Sequence, residues 1–466
     1  MTHPLVQYYR CEDVLADSLR TETLQGPAGF FRLGELVCYG QSGAGEVSPN
    51  PHGRLRDFAP HFLAACRSGD AVLPFDPAQI LTNLRMESYS GGGRSRSMAL
   101  LHDLLHRSYY QVRPLLPVAL RSPLQRLHLQ RRKEESFPRW PVDCTVDKLA
   151  AEFLRAAMLA NQQTAVPFIW FWPDGRDSAA IMTHDVETRA GLEFCDCLMD
   201  LNDSFGIKSS FQIIPESRYT IPPGFLKHIG DRGFEVNVHD LNHDGHLFRE
   251  REEFRRRVRE INRYLREFEA QGFRSGIMYR NQQWFGDLNA EYDMSVPNCA
   301  HLDPQSGGCC TVMPYFVGNV LELPVSMTQD YALFNFLQDY SIDLWQSEIE
   351  MVREKHGLIS FIVHPDYVIE EQPRTIYRLL LQHLERIRQE GKIWFALPRD
   401  VNRWWRQRTQ MKLVRSGAGW TVAGPGSERA RVAYAYHEGD DVRYCFQGWD
   451  SMHCLGDRSP LVPFSV

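Results

Sequence analysis

The sequence predicts an α/β protein built on a mainly parallel sheet or barrel, with a small α/β module before it and antiparallel β structure after it. Three observations predict this. Between about Pro167 and Leu397, strand-like and helix-like segments alternate, which implies parallel strands joined by helical crossovers. After Trp405, apolar and polar residues alternate between Gly-rich turns, the pattern of an antiparallel sheet. The chain has 466 residues, more than one ordinary core accommodates, so two or three domains are expected. Boundaries are expected to define an N-terminal α/β module at 1–105, a basic, Pro-containing connector at 106–165, the strand–helix domain at 166–400 and a β-rich C-terminal segment at 401–466.

Apolar residues make up 43% of the chain and charged residues 24%, a globular composition. The formal net charge of −6 argues against a nucleic-acid partner, which would favour a basic chain. The N-terminus has no apolar core of a secretory signal, and no run of about 18 apolar residues occurs. The 11 cysteines are odd in number and include no CxxC pair. Together these features lead to the expectation of a cytoplasmic protein with reduced thiols.

In chain order, the runs "GELVCYG" and "DAVLPF" mark the first module. "SYSGGGRSRS" has the backbone of an anion-binding nest, but no P-loop lysine follows, so a loop is expected. The stretch 111–133 is basic and leucine-rich. It suits either a peripheral foot on an anionic membrane or a connector helix, and its three prolines favour the connector. "AAIMTHDV", "KSSFQIIP", "FEVNVHD" and "LISFIVHPDY" read as strands, and "KIWFALPRD" carries one more. Between them, "EREEFRRRVREINRYLREFEAQG" is an amphipathic helix. Its Phe254, Val258, Ile261, Leu265 and Phe268 form one apolar stripe, and Gly272 is the expected C-terminal cap.

Four expected strand ends carry unusual polar groups, and strand ends are where α/β folds place chemistry. Asp185 and Glu187 in "THDVE" are two apart, on one face of a strand. His239 and His243 in "VHDLNHDGH" are four apart and would share one side of a helical turn. Arg280 follows the short apolar run "IMY", and His364 follows the most hydrophobic strand. Two imidazoles and one carboxylate make a metal site with open positions, which suits catalysis. A free carboxylate could then act as base and a further histidine as acid, the set needed to hydrolyse an amide or ester. His246, in the same loop, is expected to be a surface residue.

The order of these motifs resembles the NodB-type polysaccharide deacetylases, carbohydrate esterase family 4, over roughly Ala180 to Val368. "YDMSVPN" and "LELPVSMTQDY" resemble the branch associated with exopolysaccharide biosynthesis. The resemblance implies a distorted (β/α)7 barrel and one divalent ion, Zn2+ ahead of Co2+ or Ni2+. It also implies removal of N-acetyl (or O-acetyl) groups from chitin-like sugars or peptidoglycan. "THDVE" looks like the family's Asp-x-Asp variant, which makes Asp185 the base and Glu187 a metal ligand. "HDLNH" is similar to His-(Ser/Thr)-x-x-His and assigns His239 and His243 to the metal. "YRNQQWFG" keeps part of Arg-x-Pro-x-Gly, lacks its proline, and assigns Arg280 to hold Asp185. "IVHPDY" makes His364 the general acid, which the family pairs with an Asp. Asp330 and Asp293 are both candidates.

Trp284, Tyr279 and Tyr367 are candidate sugar-stacking residues, with core or rim packing as the equal alternative. The expected function is metal-dependent N-deacetylation of an N-acetylated carbohydrate. The rivals are hydrolysis of a small amide on the same barrel and non-catalytic carbohydrate binding.

Overall fold

The structure, a computed structural model, describes residues 3–43, 45, 47–67, 72–90, 137–417, 419–439, 441–446 and 454–455. The stretch 111–133 and most of "SYSGGGRSRS" lie outside the described residues.

The N-terminal region contributes helix α1 (Pro4–Tyr9), the antiparallel pair β1 (Gln25–Leu33) and β2 (Leu36–Ser42), and helix α2 (Pro77–Arg85). Asp76 caps α2 by accepting the Ala78 N–H at 2.8 Å, and Pro77 sits at the first helical position, where its missing N–H costs nothing. Helix α3 (Thr145–Ala160) and strand β3 (Ala165–Ile169) follow the undescribed segment. Aromatic rings dominate this core: Phe31, Phe58, Phe62, Phe75 and Phe153 pack with centroids 5.2–6.2 Å apart. The same apolar cluster takes in Tyr292 and Leu321 of the next region and Trp404 and Ala433 beyond it.

The central sheet is α/β, mainly parallel and curled, as the alternating segments predict. In chain order it comprises β4 (Ser178–Val186), β5 (Ser210–Ile213), β6 (Glu235–His239), β7 (Gly272–Arg274), β8 (Tyr292–Asp293), β9 (Tyr315–Val317), β10 (Val320–Glu322), β11 (Leu358–Ile362) and β12 (Ile393–Phe395). The spatial order is β9-β10-β8-β7-β6-β5-β4-β11, with β12 also on β4. Every pairing is parallel except β9 with β10. All nine residues of β4 are buried, as a strand covered on both faces requires.

The strap after β10 runs along the free edge of β11. Met327 N–H donates to Ser360 C=O at 3.3 Å, Ser326 Oγ donates to Leu358 C=O at 2.7 Å, and Ser360 N–H donates to Ser326 Oγ at 2.9 Å. A side-chain hydroxyl here substitutes for one ladder bond, so the strap closes the curl without being a regular strand.

Helices α4 (Arg189–Ser204), α5 (Phe225–Asp231), α6 (Arg251–Glu267), α7 (Asp343–Arg353) and α8 (Glu371–Gln389) cover the sheet. Thr188 caps α4 by accepting the Gly191 N–H. The α6 stripe is buried at Phe254, Val258, Ile261 and Leu265, each contributing about 1.5–3 kcal/mol. Gly272 does not cap α6. The helix has already ended at Phe268, with Glu269 left-handed, and Gly272 opens β7, where a Cβ would strike Tyr292 and Asn237.

Helix α9 (Pro398–Gln410) carries Trp404 and Trp405 into the core, so the antiparallel texture begins only at Lys412. Then come the hairpin β13 (Lys412–Ser416) and β14 (Gly419–Ala423), and the pair β15 (Val432–Glu438) and β16 (Asp441–Cys445). Strand β3 pairs antiparallel with β15 rather than with the central sheet. No helix among the described residues is long and apolar enough to cross a membrane.

Candidate metal centre and active site

Strands β4, β6 and β11 end on the same rim of the curled sheet, and residues at or within two positions of those ends meet there. Asp185 is the penultimate residue of β4, and Glu187 directly follows the strand. The turn carrying Glu187 is pinned by Asp366, which accepts the Glu187 N–H at 3.3 Å and a short hydrogen bond from Thr188 Oγ1. The histidine just before Asp185, His184, points the other way. Its Nδ1 lies 2.8 Å from Val363 C=O and its Nε2 2.9 Å from Asn202 Nδ2, and burial pushes it down to about 4, so it is a neutral core residue.

His239 ends β6, and its Nδ1–H donates to Arg274 C=O at 3.1 Å. That bond fixes the tautomer and leaves Nε2 with a free lone pair. Burial, partly opposed by Asp185, pushes His239 down to about 4, so the ring stays neutral. The segment to His243 is not a helical turn. Asp240 and His243 are both left-handed (φ 54° and 56°), and this doubling-back brings the two rings to a centroid separation of 4.9 Å. Asp240 holds the turn by accepting the N–H groups of Leu241 at 2.7 Å and Gly276 at 3.1 Å.

One ligand atom from each of Glu187, His239 and His243 lies within 4.8 Å of the other two. His243 Nε2 is 3.0 Å from Glu187 Oε1. His239 Nε2 is buried and makes no hydrogen bond among the described residues, while His243 Nε2 faces the Glu187 carboxylate. A free imidazole lone pair, a second imidazole and a carboxylate converging on one point fit a divalent cation with open coordination positions. Glu187 is held well below the usual carboxylate range. Burial raises it, but His243 and His364 outweigh that effect. Arg218 reaches the outer side of His243, donating to its C=O at 2.8 Å with Nη2 3.1 Å from Nδ1.

Asp185 stands beside this donor set, with Oδ2 3.8 Å from His239 Nε2. The guanidinium that holds it is Arg274's. Nη1 of Arg274 donates to Asp185 Oδ1 at 2.6 Å and to Thr183 Oγ1 at 2.7 Å, and Nε donates to Met294 C=O at 2.9 Å. Burial raises Asp185, but Arg274, followed by His239 and His364, keeps it below its ordinary value. It is a carboxylate at neutral pH.

Arg280, expected in this role, is elsewhere. "IMY" is not a strand; Gly276–Met278 form a short turn with Ile277 and Met278 left-handed, and it carries Arg280 away from Asp185 to a buried pair with Glu87. The signal for Arg274 was its place at the end of "GFR", where a strand side chain faces the barrel interior.

His364 follows β11 on the opposite side of the donor set, with Nε2 3.6 Å from Glu187 Oε1. Of the two candidate partners, Asp330 reaches it. His364 Nδ1 is 2.6 Å from Asp330 Oδ1, and the His364 backbone N–H donates to Oδ2 at 2.7 Å. Asp330, fully buried, raises His364 well above its ordinary value despite the cost of burial. Asp293, at the end of β8, instead accepts from Ser295 N–H and Oγ, at 2.8 Å each.

The aromatic candidates separate. Tyr367 lies against His364 (centroids 5.0 Å) and Tyr331 (5.2 Å). Tyr279 covers Gly245 in the loop after His243. Trp284 packs in a cluster with Phe248 and Phe254 under Arg251, so packing accounts for it. His246 stands exposed beside Asp244.

Comparison with known proteins adds the following. No protein-family model matches the chain, and no curated protein matches it. Similar solved structures include a candidate polysaccharide deacetylase from Mycobacterium smegmatis, with 18% identity, 54% of this chain and 98% of that one covered, and a TM-score of 0.42. The peptidoglycan deacetylase PdaC of Bacillus subtilis has 12% identity, 50% and 93% coverage, and a TM-score of 0.32. BA3943 of Bacillus anthracis, a carbohydrate esterase family 4 pseudoenzyme, has 12% identity, 50% and 66% coverage, and a TM-score of 0.31.

Proposed function

We propose that this chain is a metal-dependent hydrolase that removes N-acetyl groups from an amino-sugar polysaccharide or its precursor. One observation carries the reading: a guanidinium-held carboxylate, Asp185, and a carboxylate-held imidazole, His364, flank the donor set Glu187, His239 and His243. A carboxylate kept ionised and an imidazole kept protonated are the base and the acid of amide hydrolysis.

Glu187, His239 and His243 hold the ion. A bound Zn2+-type ion supplies an acidified water and a polarised acetyl carbonyl. Asp185 accepts a proton from the attacking water, and Arg274 keeps that carboxylate aimed. His364 gives the proton on Nε2 to the sugar nitrogen as the C–N bond breaks, while Asp330 stabilises the cationic ring until then. Water is added across the amide, so acetate and a free amine leave. Tyr367 and Tyr331 offer an aromatic surface beside the acid, where the face of a sugar ring could stack.

The test is acetate release from chitooligosaccharides, assayed beside a panel of small amides, by protein reconstituted with Zn2+, Co2+ or Ni2+. Activity on the sugars that is lost on chelation, and lost in Asp185→Asn and His364→Ala, supports the reading. Activity on the small amides alone would replace it.

A further inference from the structure

Arg280 is a fully buried cation that the proposed chemistry does not use, and its partner comes from the far end of the chain. Its Nε donates to Glu87 Oε2 at 2.8 Å, and its Nη2 makes a short bond to Oε1. Glu87 follows helix α2 and also accepts from Gly308 N–H at 2.7 Å and Gln282 Nε2 at 3.2 Å. Gly307 leaves room for this approach, since a Cβ there would stand 2.6 Å from Glu87 Oε1. A bidentate pair with every carboxylate oxygen occupied is a rigid fixture.

What the fixture holds is the turn beside the metal-binding loop. Arg280 Nη1 donates to Met278 C=O at 3.0 Å, and Gln305 exchanges bonds with Arg280 N–H and C=O at 2.9 and 3.0 Å. Just before it, Ile277 (φ 60°) and Met278 (φ 57°) are both left-handed, which a β-branched residue adopts only when its surroundings impose it. This strained turn touches the loop that bears His243. Gly276 N–H donates to Asp240, a Cβ on Gly276 would meet His243 Cδ2 at 2.9 Å, and Ile277 Cδ1 and Tyr279 lie against Gly245.

We infer that Glu87 is a positioning residue: through Arg280 it imposes the strained Ile277–Met278 turn, which in turn sets the doubled-back loop presenting His239 and His243. The inference rests on the reading that these histidines and Glu187 hold an ion.

A single Glu87→Gln change leaves a buried cation unpaired and can unfold the chain, so the test uses Glu87→Gln/Arg280→Met, which removes both charges. Three quantities are compared with wild type in the full-length protein: melting temperature, Zn2+ affinity by chelator competition, and hydrogen exchange of amides in 239–246 and 275–283. The inference predicts a near-wild-type melting temperature, Zn2+ binding weakened by about tenfold or more, and faster exchange confined to those two segments. Adding Ile277→Gly, which adopts the left-handed turn without strain, restores Zn2+ affinity. A purely structural role would not give this rescue. Unchanged exchange in the two segments overturns the inference. If wild type binds no Zn2+ while the exchange change appears, the site reading fails and the positioning role stands.

Discussion

Arg274 Nη1 lies 2.6 Å from Asp185 Oδ1, while the backbone C=O of the same arginine accepts from His239 Nδ1 at 3.1 Å. One residue therefore orients both the proposed base and a proposed metal ligand, with its side chain and its main chain respectively. Arg274 is fully buried, so its charge acts on Asp185 with little screening.

Replacing Arg274 by Met should therefore separate two effects. The His239 contact is made by the backbone and survives, so metal affinity should fall little. Asp185 loses the cation that holds it below its ordinary value, so its pKa rises, and the acid limb of kcat/KM moves to higher pH. With the base misaimed and less ionised, kcat should drop about 100-fold or more. A pH–rate profile alongside a metal titration checks this. Loss of metal with an unmoved acid limb would refute it.

Asp330 does the converse for His364. In Asp330→Asn the raised pKa of His364 falls, so the alkaline limb of kcat/KM moves to lower pH. The ring also loses the bond fixing its tautomer, and kcat should fall by about 10²–10⁴. Asp293→Asn, with no contact to His364, should leave that limb in place.

The strap that brings Asp330 to the site is itself anchored by a buried acid. Glu348 on α7 accepts from Thr328 N–H at 3.0 Å and from Thr328 Oγ1, and Trp345 Nε1 donates to Thr328 C=O at 2.7 Å. Burial, only partly offset by these bonds, pushes Glu348 up to about 8. The folded state thus binds a proton that the unfolded chain releases near the ordinary carboxylate pKa of about 4.3. Its contribution to stability is full below that value and is lost as pH rises toward about 8. Denaturation of wild type and Glu348→Gln across pH 5–8.5 should show the wild type losing stability on the alkaline side by several kcal/mol more than the variant. Parallel profiles would count against a protonated Glu348.

Much of this arrangement is legible in the sequence, for identifiable reasons. The strand "AAIMTHDV" is an apolar run and the α6 stripe is periodic, and both signals are local. The polar residues that end strands, Asp185, His239 and His364, stand out against apolar neighbours, so their convergence follows once the strands are parallel. Arg280 is the expected partner of Asp185 because "IMY" looks like a strand, whereas "GFR", which ends in Arg274, is too short to stand out. Only the left-handed Ile277 and Met278, conformations that those side chains do not advertise, show that the chain turns there. The His239–His243 turn was illegible in the same way: four-residue spacing suggests a helix, whereas two left-handed residues produce the approach. Glu87 gave no signal, since 193 residues separate it from Arg280. Asp330 and Asp293 are equivalent by sequence spacing, and the strap beside β11 is what carries Asp330 to His364.

The central claim is that Glu187, His239 and His243 bind one catalytic ion. Its most direct measurement is the metal content of wild type, Glu187→Ala and His239→Ala after loading with Zn2+ and exhaustive dialysis. The account predicts about one ion per wild-type chain and at least a tenfold loss in both variants. Wild type without metal, or either variant retaining the wild-type amount, would contradict it.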